Sequence, residues 1–243
     1  RITVCGNLKF DVAPPVDTAA RTAELRALFG PRPVWVAAST RESDGESEEA
    51  LIIEAWLQAL EALEAPPGAN MADSVPPLLV IVPRHPQRFA AVAALLTARG
   101  VRFVRRSEGR AADATTQVVL GDSMGEMAAY YGASDLAFIG GSLLPLGGQN
   151  LIEAAAAGCP VLIGPHSFNF AAVTEAALAA GSALRVANAK VLVQEVTALC
   201  ADPERRAAMR AAGRAFTEQH RGATARTLAV LNTVSEQAQR PQG

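Results

Sequence analysis

The stretch that decides the fold is residues 140–170, GGSLLPLGGQNLIEAAAAGCPVLIGPHSFNF. One apolar run, LAFIG, ends at Gly140, and a second, CPVLIG, begins at Cys159. Between them, SLLPLGGQ suits a loop. The following NLIEAAAAG suits a helix, with Asn150 as a good N-cap and Gly158 as a good residue just past the end. The order strand, Gly-rich loop, helix and strand predicts a βαβ unit.

A unit of this kind predicts an anion or nucleotide site. Gly147 and Gly148 have no side chain, so a ligand could approach the backbone there. The first turn of the helix at Asn150 would point free N–H groups and a positive dipole end toward that ligand. Glu153 lies in the same turn, where it could accept hydrogen bonds from ribose hydroxyls or act as a capping-box residue paired with the Asn150 backbone. A Gly-rich turn alone does not decide between these readings.

Composition limits the class of protein. The chain has 243 residues, of which 50% are hydrophobic, enough for a sizeable core, and its net charge is −2. That charge gives no general attraction to nucleic acid, so no nucleic-acid partner is predicted. The 3 cysteines and 3 histidines lack metal-ligand spacing, which predicts plain thiols in a reducing compartment and no metal. No apolar run reaches membrane-spanning length, and no signal peptide is visible.

Apolar runs alternate with helical patterns over most of the chain. Residues 33–40 and 77–83 form near-continuous apolar runs, which suit parallel strands covered on both faces. Residues 48–63, EEALIIEAWLQALEAL, have apolar positions at helical spacing. The alternation predicts an α/β fold with a doubly wound, mostly parallel, Rossmann-like sheet.

The chain is expected to divide into three parts. Residues 1–16 would hold the end of an interdomain connection and a first strand, RITVCG. Residues 17–237 would form the nucleotide-binding domain, and residues 238–243 a disordered tail. Polar loops are predicted at residues 41–49 and 65–77, the second of them variable or mobile.

Several polar residues follow predicted strands. Arg84 lies between two prolines at the carboxyl end of a strand, the edge at which doubly wound sheets bind ligands. Its guanidinium could hold a phosphate or a carboxylate, or it could be an ordinary exposed surface residue. Lys9 is either a surface residue near Asp11 or a cation aimed at a phosphate. Ser123 is predicted to open a helix whose Met124 packs either in the core or against a flat base. Asn169 is predicted to open another helix.

Five motifs occur in one order: GNLKFD, VPRHP, GDSMGE, FIGGSLLPLGGQNLIEAAAAGCPVLIGP and PHSFNF. Together they closely resemble the 3-deoxy-D-manno-octulosonic acid (Kdo) transferases of lipopolysaccharide synthesis. The resemblance covers nearly the whole chain and corresponds to the C-terminal half of a two-domain GT-B fold. It implies that the chain is a fragment without the N-terminal acceptor domain.

The resemblance implies transfer of Kdo from CMP-Kdo to a lipid A precursor, with inversion at the anomeric carbon. The C-terminal domain of this family holds CMP, and Lys9 would stabilise the charge on the leaving phosphate. Carried over by motif, the CMP contacts would be Pro83, Arg84, Met124, Gly125, Glu126, Asn150, Leu151, Ile152 and Glu153, with Gly147, Gly148 and Gln149 as loop contacts.

The resemblance also places the general base, the acceptor site and the membrane contact in the N-terminal domain. The isolated chain is therefore expected to be soluble and inactive, and the full enzyme to lie at the cytoplasmic face of the bacterial inner membrane. No cofactor is expected besides the donor substrate, and no metal, because a CMP-sugar has no pyrophosphate.

The chain departs from the family pattern GGHNPLE at two positions. Gln149 stands where the family often has histidine, and Leu151 where it often has proline. Two other readings stay open. The chain could be the nucleotide half of a GT-B transferase that uses a UDP-sugar, or a nucleotide-binding module without catalytic activity.

Overall fold

The structure is a computed structural model that describes residues 2–64 and 76–238. Within these residues the strands are β1 (Val34–Thr40), β2 (Glu42–Ser43), β3 (Glu46–Ser47), β4 (Leu78–Pro83), β5 (Phe103–Arg105), β6 (Val118–Leu120), β7 (Leu136–Ile139), β8 (Val161–Ile163) and β9 (Ala183–Arg185). The helices are α1 (Thr18–Phe29), α2 (Glu48–Glu64), α3 (Phe89–Ala98), α4 (Met127–Ala133), α5 (Ile152–Ala156), α6 (Ala171–Ala179), α7 (Ala189–Ala201), α8 (Pro203–Gln219) and α9 (Ala223–Ala238). Short 3-10 helices cover Leu8–Asp11, Pro86–Arg88, Arg106–Glu108 and Phe168–Phe170.

Seven of the strands form one parallel sheet, in the order β5-β6-β4-β1-β7-β8-β9. The predicted parallel, doubly wound α/β fold is therefore confirmed. The chain moves outward from β1 to β4 on one side and later to β7 on the other. The order thus reverses at β1, and an open sheet leaves a ligand crevice at the carboxyl ends of the strands beside such a reversal.

Side chains alternate across the two faces of β1. Val34, Val36 and Ala38 pack in the core on one face with side chains from α1, α4, α5 and α8. Trp35 and Ala37 pack in the core on the other face with side chains from α2, α3 and α7. Because successive residues of a strand point to opposite faces, an apolar run buries both faces of the sheet.

The predicted first strand in residues 1–6 is wrong. The described part of this segment pairs with no strand, and the side chains of Ile2 and Val4 are 94% and 87% exposed. The segment continues into the 3-10 helix Leu8–Asp11 and is joined to the start of α9 instead of to the sheet. There the carboxylate of Asp11 accepts hydrogen bonds from the N–H groups of Gly222 and Thr224, both at 2.6 Å.

The polar loop predicted at residues 41–49 is wrong in detail, because it contains the hairpin of β2 and β3 and the first residues of α2. Asp44 and Gly45 both have positive φ, 52° and 85°, as a two-residue type I′ turn requires. Asp-Gly is a preferred sequence for that turn, so the sequence itself contained the indication of a hairpin. Of the loop predicted at 65–77, residues 65–75 lie outside the described residues, as do residues 239–243 of the predicted tail.

Two predicted helices begin later than expected. The helix expected at Ser123 begins at Met127, because Gly125 has a φ of 75°, which a right-handed helix cannot contain. The helix expected at Asn169 begins at Ala171, after the 3-10 turn Phe168–Phe170.

Of the helices in residues 2–64 and 76–238, none is both long and apolar enough to cross a membrane. In the same residues, no three His, Cys, Asp or Glu side chains lie together as metal ligands would.

A candidate nucleotide site at the carboxyl edge of the sheet

The residues predicted to contact a nucleotide follow the carboxyl ends of several strands. Arg84 follows β4, residues 121–126 follow β6, residues 140–153 follow β7, and residues 164–170 follow β8. Parallel strands end at one edge of the sheet, so the sheet brings these segments, far apart in the chain, to a single edge. The carboxyl end of β1, where the strand order reverses (the switch point of the sheet), lies at the same edge.

The Gly-rich loop is closed by hydrogen bonds within the protein. The N–H of Gly148 donates to the carbonyl of Gly141 at 2.6 Å, and the N–H of Asn169 donates to the carbonyl of Gly147 at 3.0 Å. A Cβ atom at Gly147 would overlap the Asn169 side chain. The side chain of Gln149 lies over Gly141, where Nε2 would be 3.3 Å from a Cβ. Packing thus accounts for Gly147 and a φ of 75° for Gly148, and contact of this loop with a ligand stays a prediction.

Asn150 and Glu153 form the turn that enters α5. Asn150 Oδ1 accepts a hydrogen bond from the N–H of Ile152 at 3.1 Å, and its Nδ2 donates to Glu153 Oε1 at 3.2 Å. The capping-box reading is wrong, because Glu153 contacts the side chain of Asn150 and not its backbone N–H. Glu153 is exposed and free to accept further hydrogen bonds.

The helix itself contributes less than predicted. It begins at Ile152, two residues beyond Asn150, and is only 5 residues long. A helix of little more than one turn sums few peptide dipoles, so its field is weak. Leu151 and Ile152 are 0% and 2% exposed and belong to the core. Their side chains are not accessible to a nucleotide, and the N–H of Ile152 is bound to Asn150, which leaves only their other backbone groups for that role.

Arg84 lies where β4 leaves the sheet. Pro83 is paired in register with Thr40, and the N–H of Arg84 donates to the carbonyl of Thr40 at 2.9 Å. The Arg84 side chain is exposed and forms no ion pair with any described residue. A guanidinium in this position is free to bind an anion.

The charges of Arg84 and Glu153 both influence the buried side chain of Tyr131. Burial raises the pKa of Tyr131, the negative charge of Glu153 raises it further, and the positive charge of Arg84 opposes the rise. Both charges therefore lie close enough to act on one side chain. The charges of Arg84 and Glu153 thus act on the same buried side chain, although α3, α4 and β7 separate the two residues in the chain.

Residues 124–126, the MGE turn, are only partly available to a nucleotide. Glu126 is 8% exposed, and its carboxylate pairs with Arg106 at 3.2 Å and Arg21 at 3.6 Å. Met124 is 57% exposed, so its reading as a core residue is wrong, and contact with a base stays a prediction. A Cβ at Gly125 would meet no atom within 4 Å. While the ion pairs of Glu126 persist, only its backbone is available to a nucleotide.

Lys9, in the N-terminal segment, lies at the same edge. Its Nζ lies 4.3 Å from the centroid of the Phe170 ring, a cation–π contact. Phe170 ends the PHSFNF segment that follows β8. The contact holds the exposed ammonium of Lys9 beside the loops of the site, although residues 2–16 lie outside the sheet.

Sequence reasoning missed a buried carboxylate beneath the site. Glu48 is 0% exposed and accepts hydrogen bonds from the backbone N–H groups of Gly141 (2.6 Å), Ser142 (3.0 Å), Leu143 (2.9 Å) and Arg41 (3.0 Å). Burial raises the pKa of Glu48, and the four N–H donors offset part of the rise. Two adjacent glutamates at the start of α2 could have indicated a charged group close to the sheet edge, but the sequence alone could not assign their hydrogen-bond partners.

Glu49 is buried beside Glu48 and belongs to a second group of contacts. It accepts a hydrogen bond from Thr40 Oγ1 at 2.9 Å and pairs with Arg88 at 3.2 Å. Arg88 also pairs with Glu42 of the hairpin. These contacts join β1, the hairpin and the start of α3 just below the predicted phosphate ligand Arg84.

We expect Glu48→Ala to destabilise the protein by about 3 kcal/mol, because buried N–H groups would lose their acceptor. Urea unfolding followed by circular dichroism measures this change. Glu61→Ala is the matched control, since Glu61 is an exposed glutamate on the same helix. A loss for Glu48→Ala no larger than that of the control would show that the loop holds its shape without the carboxylate.

The stability contributed by Glu48 should also depend on pH. Its folded pKa is raised above the ordinary value of 4.5, so in this range the folded chain binds the proton more tightly than the unfolded chain. The contribution is therefore complete below the unfolded pKa and declines as pH rises through the folded pKa. We expect the advantage of the wild type over Glu48→Gln to shrink as pH rises above 4.5 in urea titrations. An advantage that grows with pH would contradict the raised pKa.

Comparison with known proteins identifies the family of the chain. Residues 101–216 match the family described as Glycosyl transferases group 1. The 3-deoxy-D-manno-octulosonic acid transferase of Bordetella pertussis is 47% identical over 230 residues, which are 94% of this chain and 51% of that protein. The enzyme of the same name from Haemophilus influenzae is 38% identical over 97% of this chain and 52% of its own length. The chain thus spans about half the length of these curated relatives.

A solved structure matches the domain as a unit. It is the crystal structure of the C-terminal CMP-Kdo binding domain of WaaA from Acinetobacter baumannii, with a TM-score of 0.68 and 28% identity. The match covers 86% of this chain and 98% of that domain. The chain therefore belongs to the Kdo transferase family and corresponds to the C-terminal domain of its GT-B fold.

Proposed function

We propose that this chain binds CMP-Kdo and forms the donor half of a Kdo transferase. The observation that carries the proposal is the meeting of Arg84, the MGE turn and the Asn150–Glu153 turn at one edge of the sheet. This arrangement occurs in a chain whose structural neighbour is described as a CMP-Kdo binding domain.

Each part of CMP has a matching group at this edge. The exposed guanidinium of Arg84 suits the phosphate, since it can donate two parallel hydrogen bonds to an anion. The exposed carboxylate of Glu153 suits the ribose hydroxyls, which donate to it. The exposed side chain of Met124 and the open backbone at Gly125 suit the flat face of cytosine.

The proposed reaction is an inverting glycosyl transfer to a lipid A precursor in lipopolysaccharide synthesis. A hydroxyl of the acceptor attacks the anomeric carbon of Kdo from the face opposite CMP. The bond between that carbon and the phosphate oxygen breaks, its electron pair leaves with CMP, and the hydroxyl proton passes to a general base. That base would be a glutamate in the N-terminal half, together with the acceptor site and the membrane contact at the cytoplasmic face of the inner membrane.

The role of this domain in that reaction is electrostatic. Negative charge grows on the phosphate as CMP departs, so cations near it bind the transition state more tightly than the ground state. Arg84 and Lys9 would supply those cations. A donor with a single phosphate has less need of a bridging metal than a nucleoside diphosphate sugar, and we propose that none takes part.

We expect the chain to bind CMP in preference to UMP and AMP, and Arg84→Ala and Glu153→Ala each to weaken CMP binding about tenfold or more, because each removes a charged hydrogen-bonding group. Isothermal titration calorimetry measures these affinities. Arg110→Ala and Glu218→Ala are matched controls at exposed ion pairs away from the site.

Equal binding of CMP, UMP and AMP would contradict the assignment of the base pocket to residues 124–126. Tighter binding of UDP than of CMP would favour a transferase that uses a UDP-sugar. No nucleotide binding at all, with both controls folded, would favour a module without this activity.

In a polypeptide that contains both halves, we expect Lys9→Ala to lower kcat for Kdo transfer by about 100-fold, with CMP affinity nearly unchanged, because the ammonium acts on charge that develops only in the transition state. Lys190→Ala, which removes another exposed lysine, is the control. The 243-residue chain by itself should transfer nothing. Transfer by the isolated chain would refute the placement of the base in the other half.

A further inference from the structure

Ser39 has a backbone conformation that is rare for a residue with a side chain. Its φ is 56°, in the left-handed region, although it lies near the carboxyl end of β1. Within residues 2–64 and 76–238, Asp44 is the other non-glycine residue with positive φ. Asp44 belongs to a two-residue hairpin turn that requires that conformation. Ser39 belongs to no turn.

The bend at Ser39 shapes the centre of the sheet. The register of β1 against β4 shifts between Ala38 and Thr40. Gly140 packs directly on this bend, where a Cβ would lie only 2.5 Å from the carbonyl oxygen of Ser39. A glycine at position 39 would adopt the same conformation freely. The bend therefore accounts for the conformation of residue 39, but not for the presence of a serine side chain.

Ser39 lies at the switch point of the sheet, between the two segments proposed to hold the donor. On one side, the next residue, Thr40, accepts a hydrogen bond from the N–H of Arg84. On the other side, Gly140 opens the loop that leads to Glu153. Strained residues that persist in a sequence are concentrated at ligand sites, and this position is where a doubly wound sheet binds its ligand.

The hydroxyl of Ser39 is an available donor in a place where backbone donors are occupied. The N–H groups of residues 141–143 all point to the carboxylate of Glu48, so they cannot hold an anion. Ser39 is partly exposed, and its hydroxyl makes no hydrogen bond to the described part of the protein. An anion that enters the crevice between Arg84 and the loop after β7 would meet this hydroxyl.

We infer that the hydroxyl of Ser39 donates a hydrogen bond to the phosphate of the nucleotide donor, as a binding residue in addition to those carried over by motif. The inference rests on the proposed function, since the phosphate belongs to the CMP unit. It explains why the chain keeps a strained serine where glycine would fit the backbone better.

The test compares Ser39→Ala and Ser39→Gly with the wild type, with CMP and cytidine as ligands. NMR titrations are used because they also measure weak affinities. Cytidine lacks the phosphate. We expect both variants to bind CMP about tenfold more weakly and to bind cytidine as the wild type does. Ser39→Gly should also raise Tm by about 2–4 °C, because it relieves the left-handed strain. Ser43→Ala, which replaces a partly exposed serine in the hairpin, is the control.

Opposite changes in stability and CMP affinity for Ser39→Gly would support the inference, since a purely structural serine would not produce them. Wild-type CMP affinity in both variants, with Arg84→Ala still impaired, would overturn this inference and leave the proposed function intact. Equal losses for CMP and cytidine would also overturn it, because the serine would then act on pocket shape. Failure of the wild type to bind CMP would overturn both.

Discussion

The carboxylate of Glu48 holds together the edge of the sheet on which the site is built. It accepts backbone hydrogen bonds from Arg41, just after β1, and from residues 141–143, just after β7. A buried charge is tolerated only when such donors surround it, and buried N–H groups likewise require an acceptor. The buried carboxylate and the buried N–H groups therefore depend on each other. The close crossing of Gly140 over Ser39 is possible because residue 140 has no side chain.

This internal anion determines how the site can bind an external one. The loop after β7 resembles a phosphate-binding loop in sequence, but its first N–H groups are already bound to a carboxylate of the protein. The N–H groups of residues 141–143 are therefore unavailable to a phosphate, and the proposed phosphate ligands Arg84 and Lys9 lie on other elements. Those two residues are exposed and lie on separate segments, so the sheet order and the contact of Lys9 with Phe170 decide whether they act together.

Much of the fold could be predicted because its signals are local. Apolar runs gave the strands of the parallel sheet, and helical spacing gave α2 over residues that the structure confirms. The errors arose where a tertiary contact overrides a local pattern. Residues 2–6 look like a strand but pair with no strand in the described part of the chain. Ser123 looks like an N-cap, yet the positive φ of Gly125 delays the helix to Met127.

The sequence by itself determined the βαβ alternation, the family and the order of the motifs, since these depend on neighbouring residues and their spacing. Only the tertiary structure decided what each site residue is free to do. It paired Glu126 with Arg106, buried Leu151 and left Arg84 exposed. It also joined Glu48 to Gly141 across 93 residues of sequence. Hydrogen bonds and burial of this kind depend on which surfaces meet when the sheet assembles, and no local pattern in the chain records them.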